Sequence, residues 1–299
     1  MSKHIAKECH FIYSSASEYI RSQYANDSFP PSEGAIPNPM TTAEVLSAVV
    51  ETGAFNEHHP LKKAIGYLLN SQLRDGSWSD PNDDNPWDVS STAWVIWSLT
   101  SLNDPSVKTA CSNGVQWLSG LTLPSGGFPT NARQTVANTY ATAYALRALS
   151  ADDRWVPITK SCVNYLGATQ NPDGGWGLYA REDSDPTLTA YSLHGLIDSG
   201  INSEDHTVAR GVKYLLNTKN DNGSWRSWLG ESESVEGAAF SLYILSKANK
   251  ALPTDSVKTI EYVSKRVAEG SAWQIDGVNQ IWVAVSCLLM ASAISSFVA

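Results

Sequence analysis

Five times in this chain an aromatic residue is followed eleven positions later by another: Tyr67 and Trp78, Trp117 and Phe128, Tyr165 and Trp176, Tyr214 and Trp225, Tyr262 and Trp273. The downstream members lie 50, 48, 49 and 48 residues apart. A period near 50 marks copies of one supersecondary unit, each burying its apolar face against the next.

Every unit has the same parts. An apolar stretch at helical spacing, such as Lys63-Ala64-Ile65-Gly66-Tyr67-Leu68-Leu69, runs into a turn rich in Gly, Asp, Asn and Pro (Asp75-Gly76-Ser77-Trp78; Pro172-Asp173-Gly174-Gly175-Trp176; Asn220-Asp221-Asn222-Gly223-Ser224-Trp225). A second, more apolar helix follows, its start recurring as Thr42-Ala43, Thr92-Ala93, Thr142-Ala143, Thr189-Ala190 and Ala238-Ala239, with Ile281-Trp282 as a degenerate sixth copy. Four positions before the first five stand Asn38, Asp88, Asn138, Asp185 and Ser234. Each is a good N-cap, because a short side-chain oxygen can accept the unpaired N–H groups of a first helical turn. The units are helical hairpins.

The two helix sets differ in polarity. The second set, exemplified by Ala93-Trp94-Val95-Ile96-Trp97-Ser98-Leu99, is apolar nearly all round, whereas the first carries Lys62, Lys63, Lys160, Arg210, Lys213, Lys258 and Lys265. Burial on all sides predicts an inner ring, amphipathicity an outer one. The expectation is therefore an all-α (α/α)6 toroid of six helical hairpins, its inner helices beginning near residues 41, 90, 140, 187, 236 and 279. A leading helix over 8–25, a linker-like stretch over 26–39 and repeats over 38–292 together make residues 1–299 a single domain. Packing the first repeat against the last removes the exposed ends that an open solenoid must cap.

Composition limits the partners. A net charge of −9 with 21 Lys and Arg among 299 residues argues against nucleic-acid binding, which rests on phosphate neutralisation. No apolar run is long and pure enough to span a bilayer. The first residues lack the basic-then-apolar pattern of a secretory signal, and the scattered Cys9, Cys111, Cys162 and Cys287 suit free thiols in the cytoplasm.

The repeated turn carries a family resemblance. Gln72-Leu73-Arg74-Asp75-Gly76-Ser77-Trp78 and Gln170-Asn171-Pro172-Asp173-Gly174-Gly175-Trp176-Gly177 resemble the glutamine–tryptophan (QW) repeats of squalene–hopene cyclases and other class II terpene cyclases. The resemblance implies that Gln hydrogen-bonds near a helix end and that Trp stacks between neighbouring hairpins, so the turn aromatics are structural rivets. The same architecture hosts protein prenyltransferase β subunits, which hold zinc through an Asp, a Cys and a His. No Asp-x-Cys occurs here, so no metal is expected by that route.

Class II cyclases protonate an alkene or epoxide with the central Asp of an Asp-x-Asp-Asp motif that precedes a Thr-Ala step. Counting back from Thr92-Ala93 places that motif at Asp88-Val89-Ser90-Ser91, where both later aspartates are serines. A serine hydroxyl cannot protonate an alkene. Across the repeats, the column two residues before each Thr-Ala equivalent holds Met40, Ser90, Tyr140, Thr187, Glu236 and Asn279. Glu236 is its one carboxyl, and the resemblance makes it the candidate acid, with Asp88 the alternative. Under the same resemblance Ser90, Tyr140, Thr187 and Asn279 face the cavity. Trp94, Tyr144, Tyr191 and Phe240 form a further column directly after the Thr-Ala step, with Trp97 and Trp282 nearby; aromatic faces stabilise cations.

A second acidic group precedes the same helix. Asp83-Asp84-Asn85-Pro86-Trp87-Asp88 is one residue longer than the Asp-Asp-x-x-Asp signature of class I enzymes, and under that alternative Asp83 and Asp84 would hold Mg2+ and a diphosphate. The reading adopted from sequence is a cofactor-free, terpene cyclase-like enzyme (isomerase or lyase) that acts on an isoprenoid by carbocation or acid–base chemistry in an aromatic-lined barrel. The alternatives are a non-catalytic ligand-binding toroid and the Mg2+–diphosphate enzyme. Squalene-type cyclases use two toroids and this chain has one, so either the substrate is small or a second copy or partner subunit completes the cavity.

Overall fold

Apolar runs closed by short polar caps become twelve helices in the computed structural model, which describes residues 3–55, 58–80, 83–102, 104–227, 229–249 and 256–298. Six inner helices follow the apolar set: α2 (Pro39–Thr52), α4 (Asp88–Thr100), α6 (Thr139–Leu149), α8 (Pro186–Asp198), α10 (Val235–Asn249) and α12 (Ile281–Val298). Each starts within two residues of its expected position. Between them run the outer helices α3 (His58–Asn70), α5 (Lys108–Ser119), α7 (Val156–Thr169), α9 (His206–Asn217) and α11 (Ser256–Ala268).

The inner helices pack in cyclic order, each on the next, and α12 returns to α2 to close the ring. Helix α1 (Lys3–Ser22), five residues ahead of its expected start, lies against α12 and α11 and so supplies the outer member of the sixth hairpin. The toroid is thus closed by the N-terminal helix completing the C-terminal repeat. Two small antiparallel pairs, β1 (Phe128–Pro129) with β2 (Ala137–Asn138) and β3 (Gln274–Ile275) with β4 (Val278–Asn279), stiffen loops at the inner-helix N-termini.

The repeat aromatics hold this ring together. Trp78, Trp176 and Trp225 are buried, and each indole Nε1–H donates to a carbonyl ten residues back, at Leu68 (2.6 Å), Leu166 (2.8 Å) and Leu215 (2.8 Å). The Trp78 ring lies against Gly114 and the Trp176 ring against Gly211, both on the next outer helix, so close that a Cβ on either glycine would clash with the indole. Gln72 Nε2 donates to Gly76 O and to Ala110 O, and Gln170 Nε2 to Gly174 O and Thr207 O, joining each turn to the following hairpin. The threonine of the Thr-Ala step has a matching task. The hydroxyls of Thr92, Thr142 and Thr189 accept from the backbone N–H of Trp78, Phe128 and Trp176 at 2.9–3.0 Å.

Four expected caps form: Asn38 accepts from Thr41 N, Asn138 from Ala141 N, Asp185 from Thr187 N and Leu188 N, and Ser234 from Gly237 N. Asp88 departs from its column. It is the first helical residue of α4, Trp87 stands at the cap without a side-chain capping bond, and the Asp88 carboxyl accepts from Ser79 instead. The four cysteines are unpaired, and among the described residues no helix is long and apolar enough to cross a membrane.

Candidate active site

Inner helices that start at one level place their first turns around a common space. A cavity of about 510 Å³ opens there, within the roughly 300–1,000 Å³ usual for small-molecule sites. The first turns supply Met40, Thr41, Ser91, Tyr140, Leu188, Glu236 and Trp282; one turn deeper come Glu44 and Tyr191; the loops add Asp80, Asp83 and Trp87 at the mouth.

Glu236 is 2% exposed in the first turn of α10. Its Oε1 accepts a 2.6 Å hydrogen bond from the Tyr191 hydroxyl, and its Oε2 has no hydrogen-bond partner. Burial pushes its pKa up to about 7, against the opposing pull of Tyr191 and Trp282, which stabilise the anion. The N-terminus of α10 favours the anion too, yet desolvation wins.

A second carboxyl shares the cavity. Glu44, on α2, is pushed up to about 8, first by burial and then by the charge of Glu236. Two carboxyls in one low-dielectric space titrate as a pair, so the site keeps a proton at neutral pH. Sequence reasoning by aromatic columns passes over Glu44, although its signal is present. It follows Thr42-Ala43 directly, so it is the first-repeat member of the column that otherwise holds Trp94, Tyr144, Tyr191 and Phe240.

The expected site residues divide into three groups. Glu236, Tyr140, Tyr191 and Trp282 line the cavity together, and Asp83 stands at its mouth. Tyr140 packs edge-on to Trp87 (5.5 Å) and Tyr191 (4.9 Å), and Phe240 backs Tyr191 at 4.7 Å. Trp94, Trp97 and Tyr144 instead surround a protein cation: the Arg147 guanidinium lies 5.0, 4.3 and 5.4 Å from their rings. Arg147, 1% exposed, pairs with Asp198 at 2.8 Å, which also meets His194 (3.1 Å) and Lys247 (2.6 Å) toward the C-terminal ends of the inner helices. Burial and the Arg147 charge hold His194 down at about 3, so it is neutral there.

The third group lies off the cavity wall. Ser90 and Thr187 are buried with unpartnered hydroxyls, while their chain neighbours Ser91 and Leu188 line the space. Asn279 donates to Glu33 in the loop region, and the adjacent Gln280 takes the lining position. For Ser90 and Thr187, one residue along a helix is a turn of about 100°, enough to move a side chain from the wall into the packing; Asn279 lies in β4, ahead of α12. Asp88 is half-buried, with burial raising its pKa and Ser79 and Arg133 opposing that, and it does not line the cavity. Asp83 Oδ1 accepts from Asn85 N, and Asp84 is exposed. Among the described residues no group of three or more His, Cys, Asp or Glu side chains is arranged to hold a metal ion.

Residues 132–245 match the family described as the squalene-hopene cyclase C-terminal domain. The chain is 28% identical over 173 residues to a drimenyl diphosphate synthase of Streptomyces showdoensis, covering 56% of this chain and 32% of that protein. It is 33% identical over 179 residues to a squalene–hopene cyclase of Bradyrhizobium diazoefficiens, covering 53% and 25%. It therefore spans about a third or less of the length of these curated relatives. The fold superposes on the type II terpene cyclase MstE from Scytonema with a TM-score of 0.74 at 15% identity, covering 98% of this chain and 99% of that one. A glycosidase superposes with a TM-score of 0.72 at 11% identity, covering 98% and 99%. At such identities the likeness is one of fold alone.

Proposed function

We propose, from the match of residues 132–245 to the squalene-hopene cyclase C-terminal domain and the likeness to class II terpene cyclases, that the chain is an enzyme of this family that folds an isoprenoid into the barrel cavity and starts carbocation chemistry on it with the Glu236 proton. One observation carries this reading: a buried carboxyl with a raised pKa and an unpartnered oxygen stands in a cavity walled by Tyr140, Tyr191 and Trp282.

The steps follow from these groups. Glu236 gives its proton to an alkene carbon, where the π electrons form the new C–H bond and the other alkene carbon becomes the cation, or to an epoxide oxygen, where the new O–H bond is accompanied by cleavage of a ring C–O bond; either leaves a carboxylate held by the Tyr191 hydroxyl. The carbocation meets aromatic faces, which stabilise it without attacking it. Loss of a proton from the final cation, back to the Glu236–Glu44 pair, restores the acid and releases an alkene. Leu178, Leu188, Leu229 and Ile275 keep the surroundings apolar and limit capture by water. Asp88, outside the cavity wall, has no part in these steps.

The test is product analysis. Incubation with C10, C15 and C20 isoprenoids bearing alcohol, epoxide, amine and diphosphate ends, with and without Mg2+, should yield cyclised or rearranged products from at least one. If a chain binds and returns unchanged under every condition, the toroid is a ligand-binding protein. Turnover strictly dependent on Mg2+ and on Asp83 and Asp84 would support the diphosphate enzyme instead.

A further inference from the structure

The charge of the cavity names the head group of its ligand. Asp80 and Asp83 stand at the mouth and Glu44 and Glu236 lie inside, while none of the described lining residues is Lys, Arg or His. The rest of the wall is apolar or aromatic, apart from Asn38, Thr41, Ser91 and Gln280. Asn38 donates to Asp80 at 2.8 Å, which fixes that carboxylate at the rim. Arg133, on the neighbouring loop, is engaged with Asp84 O and lines a separate surface depression.

Independent of this acidic rim, Glu236 Oε2 is buried and unpartnered within the cavity. An unpaired buried carboxyl oxygen calls for an explanation, and a cavity built to receive a ligand supplies one. The unpartnered oxygen marks the interior as ligand space, while the rim carboxylates favour positive charge at its mouth and oppose the multiply charged anion of a diphosphate ester.

We propose that the cavity binds an isoprenoid whose head is a cationic amine, with the ammonium held between Asp80 and Asp83 at the mouth and the hydrocarbon lying on Tyr140, Tyr191 and Trp282, and that it turns diphosphate esters away. This rests on the isoprenoid reading above and narrows it to one chemical class. It also separates this chain from the drimenyl diphosphate synthases it resembles in sequence, whose name carries a diphosphate.

Three ligands with one chain test it: farnesylamine, farnesol and farnesyl diphosphate, each titrated into the intact protein below its micelle concentration, with binding followed by tryptophan fluorescence and calorimetry. The amine should bind at least about tenfold tighter than the alcohol, corresponding to ~1.4 kcal/mol, and the diphosphate weaker than both. The advantage of the amine should shrink with added salt. It should fall severalfold in the Asp80→Asn/Asp83→Asn double variant and reverse toward the diphosphate in Asp83→Lys, with the melting temperature reporting that each variant is folded. An alcohol that binds as tightly as the amine, or a diphosphate that binds best with or without Mg2+, overturns the charge selection and leaves the isoprenoid reading standing. Absence of binding by all three overturns both.

Discussion

Tyr191 on α8 donates its phenolic hydrogen to Glu236 Oε1 on α10 at 2.6 Å, joining the aromatic wall of the cavity to its buried acid. The bond stabilises the ionised carboxylate and so works against the burial that raises the Glu236 pKa. Tyr191→Phe should therefore move the Glu236 titration above its present value of about 7 and shift the pH above which activity declines in the same direction. Carbon-13 NMR of labelled glutamate carboxyls gives the midpoint. An unchanged midpoint would mean that the hydrogen bond is not made in solution.

Stability should depend on pH through the same pair. Glu236 rises from 4.5 to about 7 and Glu44 from 4.5 to about 8, so between these limits the folded chain keeps protons that the unfolded chain releases. Their contribution is fully present below about pH 4.5 and is lost as pH climbs through the folded values, on the order of 3 kcal/mol for Glu236 alone. Urea unfolding at pH 5, 6, 7 and 8 should show this decline, and Glu44→Gln/Glu236→Gln should flatten it. A double variant with the wild-type slope would place the effect on other groups.

Trp176 fills the junction between consecutive hairpins, its ring on Gly211 and its indole N–H on Leu166 O. Trp176→Ala should cost roughly 3–5 kcal/mol, read as a lowered unfolding midpoint with an unchanged denaturant slope. A variant that melts like wild type but loses activity would make Trp176 part of the site and not a rivet.

Much of this architecture was legible because it repeats. The eleven-residue aromatic spacing and the Thr-Ala step fix the hairpins, since the Thr92 and Thr189 hydroxyls and the Trp78 and Trp176 indoles bind backbone groups whose positions recur in each copy. What the repeat hides is the residue that breaks it. Glu44 occupies a position that aromatic residues fill in four other copies, and reading that column for aromatics alone passes over it. Asp88 misleads in the opposite way. Its column holds caps in four repeats, but the Pro86-Trp87 entry to α4 and the Ser79 hydrogen bond draw it into the first turn. Placing Ser90 and Thr187 at the cavity takes an identical helix phase around the ring, whereas Ser91 and Leu188 are the residues at the wall; Asn279 belongs to β4, outside the helix, and Gln280 beside it reaches the cavity. The three aromatics around Arg147 show a further limit, because composition does not say which cation a ring will face.

The most direct measurement compares Glu236→Gln with Asp88→Asn on whichever isoprenoid is turned over, with melting temperature recorded for both. Glu236→Gln removes the proton but keeps the shape and the Tyr191 contact, so turnover should drop by roughly 10²–10⁴ while the melting temperature at pH 8 holds or rises. Asp88→Asn should retain most of its activity. Full turnover by Glu236→Gln, with loss of turnover in a well-folded Asp88→Asn, would contradict the assignment of Glu236 as the acid.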